Sequence, residues 1–253
     1  MDARLTMDRM GAGFAANLLA SDRASEAEER LPFTIRAVTG EVQLHKAVSI
    51  RHRAYGRHVP GLAELLRAPE ANDYAPGCVV ILAESKLDGE PLGTLRIQTN
   101  RFRPLALESS VELPEVFAGR SLAEATRLGV SEGRVGRVVK VMLFKALYQY
   151  CVETGIEWMV IGARAPLDRM YQALLFSDVF PGEAPVPLKH AGNLPHRILG
   201  FEIDTADERW RAARHPMYDL FVNTRHPDID IGDAVPSYAP PARHMEMPAA
   251  LAA

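Results

Sequence analysis

Two strand-like stretches carry charges where apolar residues are expected. In "PLGTLRIQTN" (91–100) Arg96 stands among Leu92, Leu95 and Ile97, and in "SLAEATRLGV" (121–130) Glu124 and Arg127 interrupt a second apolar run. Upstream, Leu44, Val48 and Tyr55 mark the apolar stripe of a helical pattern over roughly residues 41–56, and Arg51 falls on that stripe. Arg51 is therefore expected to point at the sheet. "PEANDY" supplies two acids, Glu70 and Asp73. A lone buried charge is costly, whereas arginines and carboxylates that bond one another are tolerated. One reading is an ion-pair network that fixes a face of the sheet. The other is a cleft where arginine forks hold a carboxylate and Glu124 removes a proton. The pattern alone leaves both open.

Strand periodicity sharpens the geometry. Thr94, Arg96 and Gln98 share one pleat face, with Leu95 and Ile97 on the other. Glu124 and Arg127 are three apart, hence on opposite faces unless a bulge intervenes, and Gly129 is the residue expected to permit one.

The elements that must position these groups alternate along the chain. "FTIRAVTG" reads as a strand before the first core helix. "CVVILAES" and "PLGTLRIQ" bracket Asp88-Gly89, a hairpin signal, and "LAEATRLGV" forms the next strand. A long helix follows, with Val135, Val138, Val139, Met142, Ala146 and Tyr150 read as one face. Then come a strand "IEWMVIGA", a helix "PLDRMYQALLF" and a last strand near "HRILGFEID". The expectation is one α/β domain over residues 32–232, with a mixed, mostly antiparallel sheet and helices on both faces. Residues 1–31 read as an extension with one amphipathic helix on Met7, Met10, Phe14 and Leu18. Residues 233–253, proline-rich and aperiodic, read as a flexible tail.

Composition closes several routes. With 253 residues, 47% hydrophobic and a net charge of -3, the chain reads as an ordinary globular protein without an overall nucleic-acid footprint, which leaves room for a local basic patch. Cys78 and Cys151 lie in apolar runs and read as buried free thiols, which with the absence of a secretion signal or a spanning segment gives a cytoplasmic expectation without membrane insertion. The eight histidines, among them His190, His196, His215 and His226, lack metal-site spacing and read as surface or loop residues; no metal is expected. No dinucleotide fingerprint, Walker loop or nucleophile elbow occurs, so no bound cofactor is expected.

Taken in order, Arg51-x-x-x-Tyr55, Glu70 with Asp73, Gly93-x-x-Arg96 and Glu124-x-x-Arg127-Leu128 resemble the signature of acyl-homoserine-lactone (autoinducer) synthases. They resemble still more closely that of the related FeeM-like N-acyl amino acid synthases. The resemblance covers roughly residues 32–222 and implies a GNAT-type acyltransferase fold. "APLDRMYQALLF" is similar to the tyrosine helix late in that fold, with Tyr171 at the family's tyrosine. Where general acetyltransferases carry a Q/R-x-x-G-x-G/A loop for coenzyme A, this chain has "SEGRVGR" (131–137), which suits a donor delivered by acyl carrier protein. An aromatic usual in autoinducer synthases is replaced within "GRHVPGLAELL", which favours an amino-acid acceptor.

The resemblance implies an N-acyltransferase that moves a fatty acyl group from acyl carrier protein or acyl-CoA, as co-substrate, to the amine of an amino acid. The catalytic candidates are Glu124 as base, Tyr171 as proton donor to the departing sulfur, and the Gly129 and Val130 backbone as polarising donors. Arg51, Asp73, Arg96 and Arg127 are the substrate-binding set, and the three arginines carry the competing role of holding Glu124 and Asp73. Arg134, Arg137 and Lys140, with Lys145 one turn on, are the cations expected to meet the acidic carrier; placed at a helix N-terminus they oppose the helix dipole, which a bound phosphate would offset. Met142 and Phe144 are expected to line the acyl slot. The alternatives are an autoinducer synthase using S-adenosylmethionine and a non-catalytic acyl-binding module.

Overall fold

The computed structural model describes residues 27–232; the expected helix on Met7 to Leu18 and the tail 233–253 lie outside them. Chain order gives β1 (Ala27–Glu28), β2 (Phe33–Ala37), α1 (Glu41–Gly56), α2 (Pro60–Leu65), β3 (Cys78–Ser85), β4 (Pro91–Thr99) and β5 (Leu122–Val130). There follow α3 (Gly133–Glu153), β6 (Trp158–Ala163), α4 (Leu167–Ala173), β7 (Ser177–Asp178), β8 (Val186–Leu188), β9 (Leu194–Glu202), α5 (Ala206–Ala212), β10 (Thr224–Arg225) and β11 (Ile229–Asp230).

The main sheet runs β11-β2-β3-β4-β5-β6-β9-β7, with β8 also on β9. Its pairs are antiparallel except β11 with β2 and β5 with β6. The β3–β4 hairpin turns where expected, with Gly89 at a φ of +70° that favours glycine. Ala27 and Glu28 pair in parallel with β10, and Leu31 joins the main core.

Helices cover both faces. On one, Val79, Ile81, Leu95, Ile97, Ala123 and Ala125 meet α3 through Val139, Leu143, Ala146, Leu147 and Tyr150. Each Val, Leu or Ile side chain among them contributes roughly 1.5–3 kcal/mol by leaving water. Two valines placed on that face are instead outside: Val135 is 50% and Val138 42% exposed. Val138 is turned about 100° from Val139 around the helix, and Val135 lies in the first turn of α3. On the other face α1 packs Leu44, Ala47, Val48 and Ile50 onto Val80 and Leu82. That leaves Thr94, Arg96, Gln98, Glu124 and Thr126 between α1 and a cover formed by the loops around Leu105, Leu107 and Ala191.

Lys145 does not belong with the cations near the start of α3. It is wholly buried, and its Nζ donates to the carbonyl of Leu220 at 2.6 Å and to that of Thr224, with His226 Nδ1 at 2.9 Å. It fastens the chain around residues 219–226 to α3.

Candidate active site

One face of β4 and β5 gathers the charges. Arg51, on the buried stripe of α1, meets Asp73 at two points: Nη1 to Oδ2 at 2.9 Å and Nη2 to Oδ1 at 3.0 Å. Asp73 ends a short helical turn (Ala71–Asp73) and also accepts the backbone N–H of Glu70 at 2.8 Å. Arg96 Nη1 reaches Glu70 and Asp73, each at 3.1 Å, and its Nε donates to Thr126 at 3.1 Å. Arg51, Arg96 and the Asp73 side chain are fully buried.

Arg127 joins through a bulge. Arg96 faces Thr126 and Thr94 faces Gly129, so two residues of β5, Arg127 and Leu128, oppose Leu95 alone. The bulge lies at Arg127 itself, whose φ is +57°, not at Gly129. It brings the Arg127 fork to Glu70, with Nε and Nη2 each at 2.6 Å from a carboxylate oxygen. Gly129 has a different role. A Cβ there would lie 3.1 Å from Ala54 Cβ and from Arg51 Cα, so its bareness lets α1 close onto the sheet.

The arginines thus hold Glu70 and Asp73, not Glu124 as in the expected competing role. Burial alone would raise both acids, yet bonds from Arg127 and Arg51 and the surrounding cations keep them below the usual carboxylate range. Three guanidiniums against two carboxylates leave a surplus of one positive charge. Arg96 Nη2 is buried without a hydrogen-bond partner among the described residues.

Glu124 stands apart. Its Oε2 accepts the backbone N–H of Leu107 at 3.1 Å, while Oε1 receives no hydrogen bond among the described residues. Burial pushes its acidity up to about 7, against partial relief from the Leu107 and Ala106 N–H groups and the charges of Arg96 and Arg127. Gln98, its partner across the strands, has a buried Oε1 that is likewise unpartnered. Glu124 is also the last residue of β5 paired with β6. Beyond Glu124–Val160 the strands part, β5 continuing with β4 and β6 with β9. Leu128, Gly129 and Val130 run along the open arm.

One group at the site gave no signal in the sequence. His190, read as a loop residue, lies with its Nε2 3.4 Å from Glu124 Oε1, and its carbonyl accepts Arg127 Nη2 at 2.9 Å. Burial, then Arg127, His196 and Arg96, lower it to about 4. His190 is half-buried, and His196 and His226 are buried, not at the surface. Tyr171 is 5% exposed, packs edge-on against Phe176, and has no partner for its phenol among the described residues. Burial and then the neighbouring Tyr55 raise that phenol above its ordinary range.

Of the carrier candidates, Arg137 and Lys140 line a recess of about 490 Å³ at the start of α3, together with Arg57 and His58. Arg134 is exposed and does not line it. Gly136 keeps the strand-to-helix turn tight, since a Cβ there would meet the Ser131 carbonyl oxygen at 1.7 Å. Phe144 lines a separate apolar cavity of about 260 Å³ with Met170, Leu174, Met217 and Phe221, and Lys140 borders both spaces. Met142, placed in that slot by the sequence, is instead buried in the main core.

Compared with known proteins, residues 46–192 match the family model of the N-acyl amino acid synthase FeeM. Among solved structures, that of FeeM, an N-acyl amino acid synthase from uncultured soil microbes, superposes with a TM-score of 0.55 at 16% identity, over 72% of this chain and 96% of that one. BjaI, a CoA-dependent acyl-homoserine lactone synthase solved with MTA, gives 0.52 at 18% identity, over 77% and 93%. No curated protein sequence matches the chain. The fold is the GNAT-like mixed sheet that the sequence led one to expect.

Proposed function

We propose, from the premise that this chain belongs to the FeeM family of N-acyl amino acid synthases, that it transfers a fatty acyl group from acyl carrier protein or acyl-CoA to the amine of an amino acid. The observation that carries the reading is the set of unpartnered buried atoms around Glu124: Arg96 Nη2, Gln98 Oε1 and Glu124 Oε1. A free α-amino acid has a carboxylate for the donor and an ammonium for the two acceptors. Its carboxylate, at Arg96, also meets the surplus cation of the cluster.

The chemistry follows from that placement. The ammonium loses a proton before attack, and Glu124 Oε1, not held by the backbone, is the acceptor. Deep burial makes the carboxylate basic enough for the task near neutral pH. The thioester carbonyl enters where β5 and β6 part, and N–H groups of Leu128 to Val130 polarise it as its oxygen gains charge. The Tyr171 phenol, kept protonated by burial, donates to the departing sulfur. At the start of α3, Arg137, Lys140 and Arg57 receive the phosphate of the donor's pantetheine arm.

Incubating the purified protein with pooled labelled amino acids and either acyl carrier thioester or acyl-CoA, followed by mass spectrometry of extracted lipid, tests this directly. An N-acyl amino acid is expected. No acylated amine from either donor, or a lactone formed from S-adenosylmethionine alone, would overturn it.

A further inference from the structure

Past Glu124, β5 has lost β6 and keeps only β4 as a strand partner, so the arm whose N–H groups meet the thioester needs another support. Ser131 donates its N–H to the Leu92 carbonyl at 2.8 Å, and Val130 stands opposite Gly93. Those two facts make Val130 and Gly93 a pair without hydrogen bonds of its own, so the N–H and C=O of Val130 point away from β4. They face the side where β5 and β6 part. Arg57, which caps the C-terminal end of α1, occupies that carbonyl: its Nη2 donates to it at 2.6 Å. Its Nε lies 3.2 Å from Glu132 Oε1, just beyond the strand, and its Nη1 donates to the Arg53 carbonyl in the last turn of α1 at 3.4 Å.

Resting on the reading above, we propose that Arg57 is a positioning residue of the acyl transfer, holding Val130 so that its N–H stays aimed at the thioester carbonyl. The peptide between Val130 and Ser131 is held from both ends, by Leu92 at its N–H and by Arg57 at its C=O. The residue before it is held by the same helix, because Gly129 without a Cβ lies close against Arg51 and Ala54. Successive residues of the arm thus take their place from α1, Gly129 by contact and Val130 by a hydrogen bond. A charged donor makes that bond stronger than a neutral one would. It also sets a positive charge on the side of the strand where the thioester oxygen turns negative. The contact with Glu132 keeps the fork turned toward the strand. In this role Arg57 touches no reacting atom and acts through Val130. The same guanidinium lines the recess for the donor's phosphate, so one side chain joins the docked donor to the arm that polarises it.

The test uses a donor without a phosphate, an acyl N-acetylcysteamine thioester, so that no effect of Arg57 comes from phosphate binding. With that donor, Arg57→Ala is expected to lower kcat at least about tenfold relative to the wild-type chain, with the KM for thioester and amino acid nearly unchanged. Added guanidinium ion, below denaturing concentration, should restore part of the loss without raising the wild-type rate. Parental kcat in the variant, or a loss that guanidinium leaves untouched, overturns the positioning role. So does a variant altered only in its KM for the acyl carrier donor, since that leaves Arg57 as a phosphate contact alone. Where the wild-type chain accepts only the carrier-bound donor, the same fall is expected in kcat at saturating carrier, and its absence overturns the role. If Arg57→Ala melts below the assay temperature, Arg57→Lys is read in its place. An ammonium keeps the charge but cannot fork between Val130 and Glu132, so a lower kcat is expected and a parental one overturns the role. A wild-type chain that makes no N-acyl product from any donor shows instead that the reading of the reaction has failed, and the positioning role falls with it.

Discussion

Arg127 donates to Glu70 through Nε and Nη2, both at 2.6 Å, from a backbone turned to a φ of +57°. The left-handed conformation costs an arginine about 1–2 kcal/mol, and the paired charges must offset it. Arg127→Gly would relieve that cost but remove the fork on Glu70 and leave it to Arg96 and Arg51, and breaking a buried pair outright costs roughly 3–5 kcal/mol. Glu70 keeps 24% of its side chain exposed, which lowers that figure. The net expectation is a loss of about 1–2 kcal/mol in urea unfolding. Arg127→Lys should also lose stability, because an ammonium cannot fork. A glycine variant as stable as the parent would show that the pair does not hold the bulge.

Close helix approach predicts a second pair of effects. Gly129→Ala places a Cβ 3.1 Å from Arg51 Cα, so α1 must shift and take Arg51 with it. We expect a loss of about 1–3 kcal/mol in thermal melts and lower activity. Gly136→Ala meets the Ser131 oxygen at 1.7 Å, opens the turn into α3, and should raise the KM for the acyl donor. Parental stability and KM in both variants would contradict the packing argument.

Much of this site could be read before the fold was known, because a charge in an apolar strand or stripe has few explanations. Periodicity marks Arg96 and Arg51, and its place in an apolar run marks Glu124; Arg96 and Glu124 share one face of the sheet, and Arg51 of α1 is buried over it. Other parts have no such signature. His190 sits in a short turn, Lys189–Ala191, placed by the β8–β9 connection, and a loop histidine looks the same whether it meets solvent or a carboxylate. The three-residue spacing of Glu124 and Arg127 allows a bulge, but its place at Arg127 follows from cross-strand register, which no local pattern encodes. Val135 and Val138 differ from expectation because apolar character on a helix does not reveal whether a strand lies beneath that turn.

Acidity gives a further prediction. Glu124 rises from an ordinary 4.5 to about 7 on folding. Its contribution to stability is therefore complete below pH 4.5 and lost as pH rises through 7. Glu124→Gln removes that dependence, so the variant should gain on the parent between those values. At about 1.4 kcal/mol per pH unit the gap reaches about 3 kcal/mol. His190, lowered from 6.5 to about 4, works in the opposite direction: its contribution is present above pH 6.5 and lost as pH falls through 4. Parallel melting curves for parent and Glu124→Gln across pH 4.5 to 7 would contradict the burial argument.

Donor recognition should follow the recess at the start of α3. Arg137→Glu and Lys140→Glu are expected to raise the KM for an acyl carrier donor, most at low salt, because screened surface charges steer weakly. Arg134→Glu, outside the recess, should do less. Equal effects from all three would point to net charge and not to a defined site.

The measurement closest to the central claim is the turnover of Glu124→Gln with a thioester donor and an amino acid the parent accepts. A folded variant whose kcat is about 10²–10⁴-fold lower, with donor KM little altered, is the predicted result. A variant that turns over at the parental rate would show that the buried carboxylate at the parting of β5 and β6 is not the base.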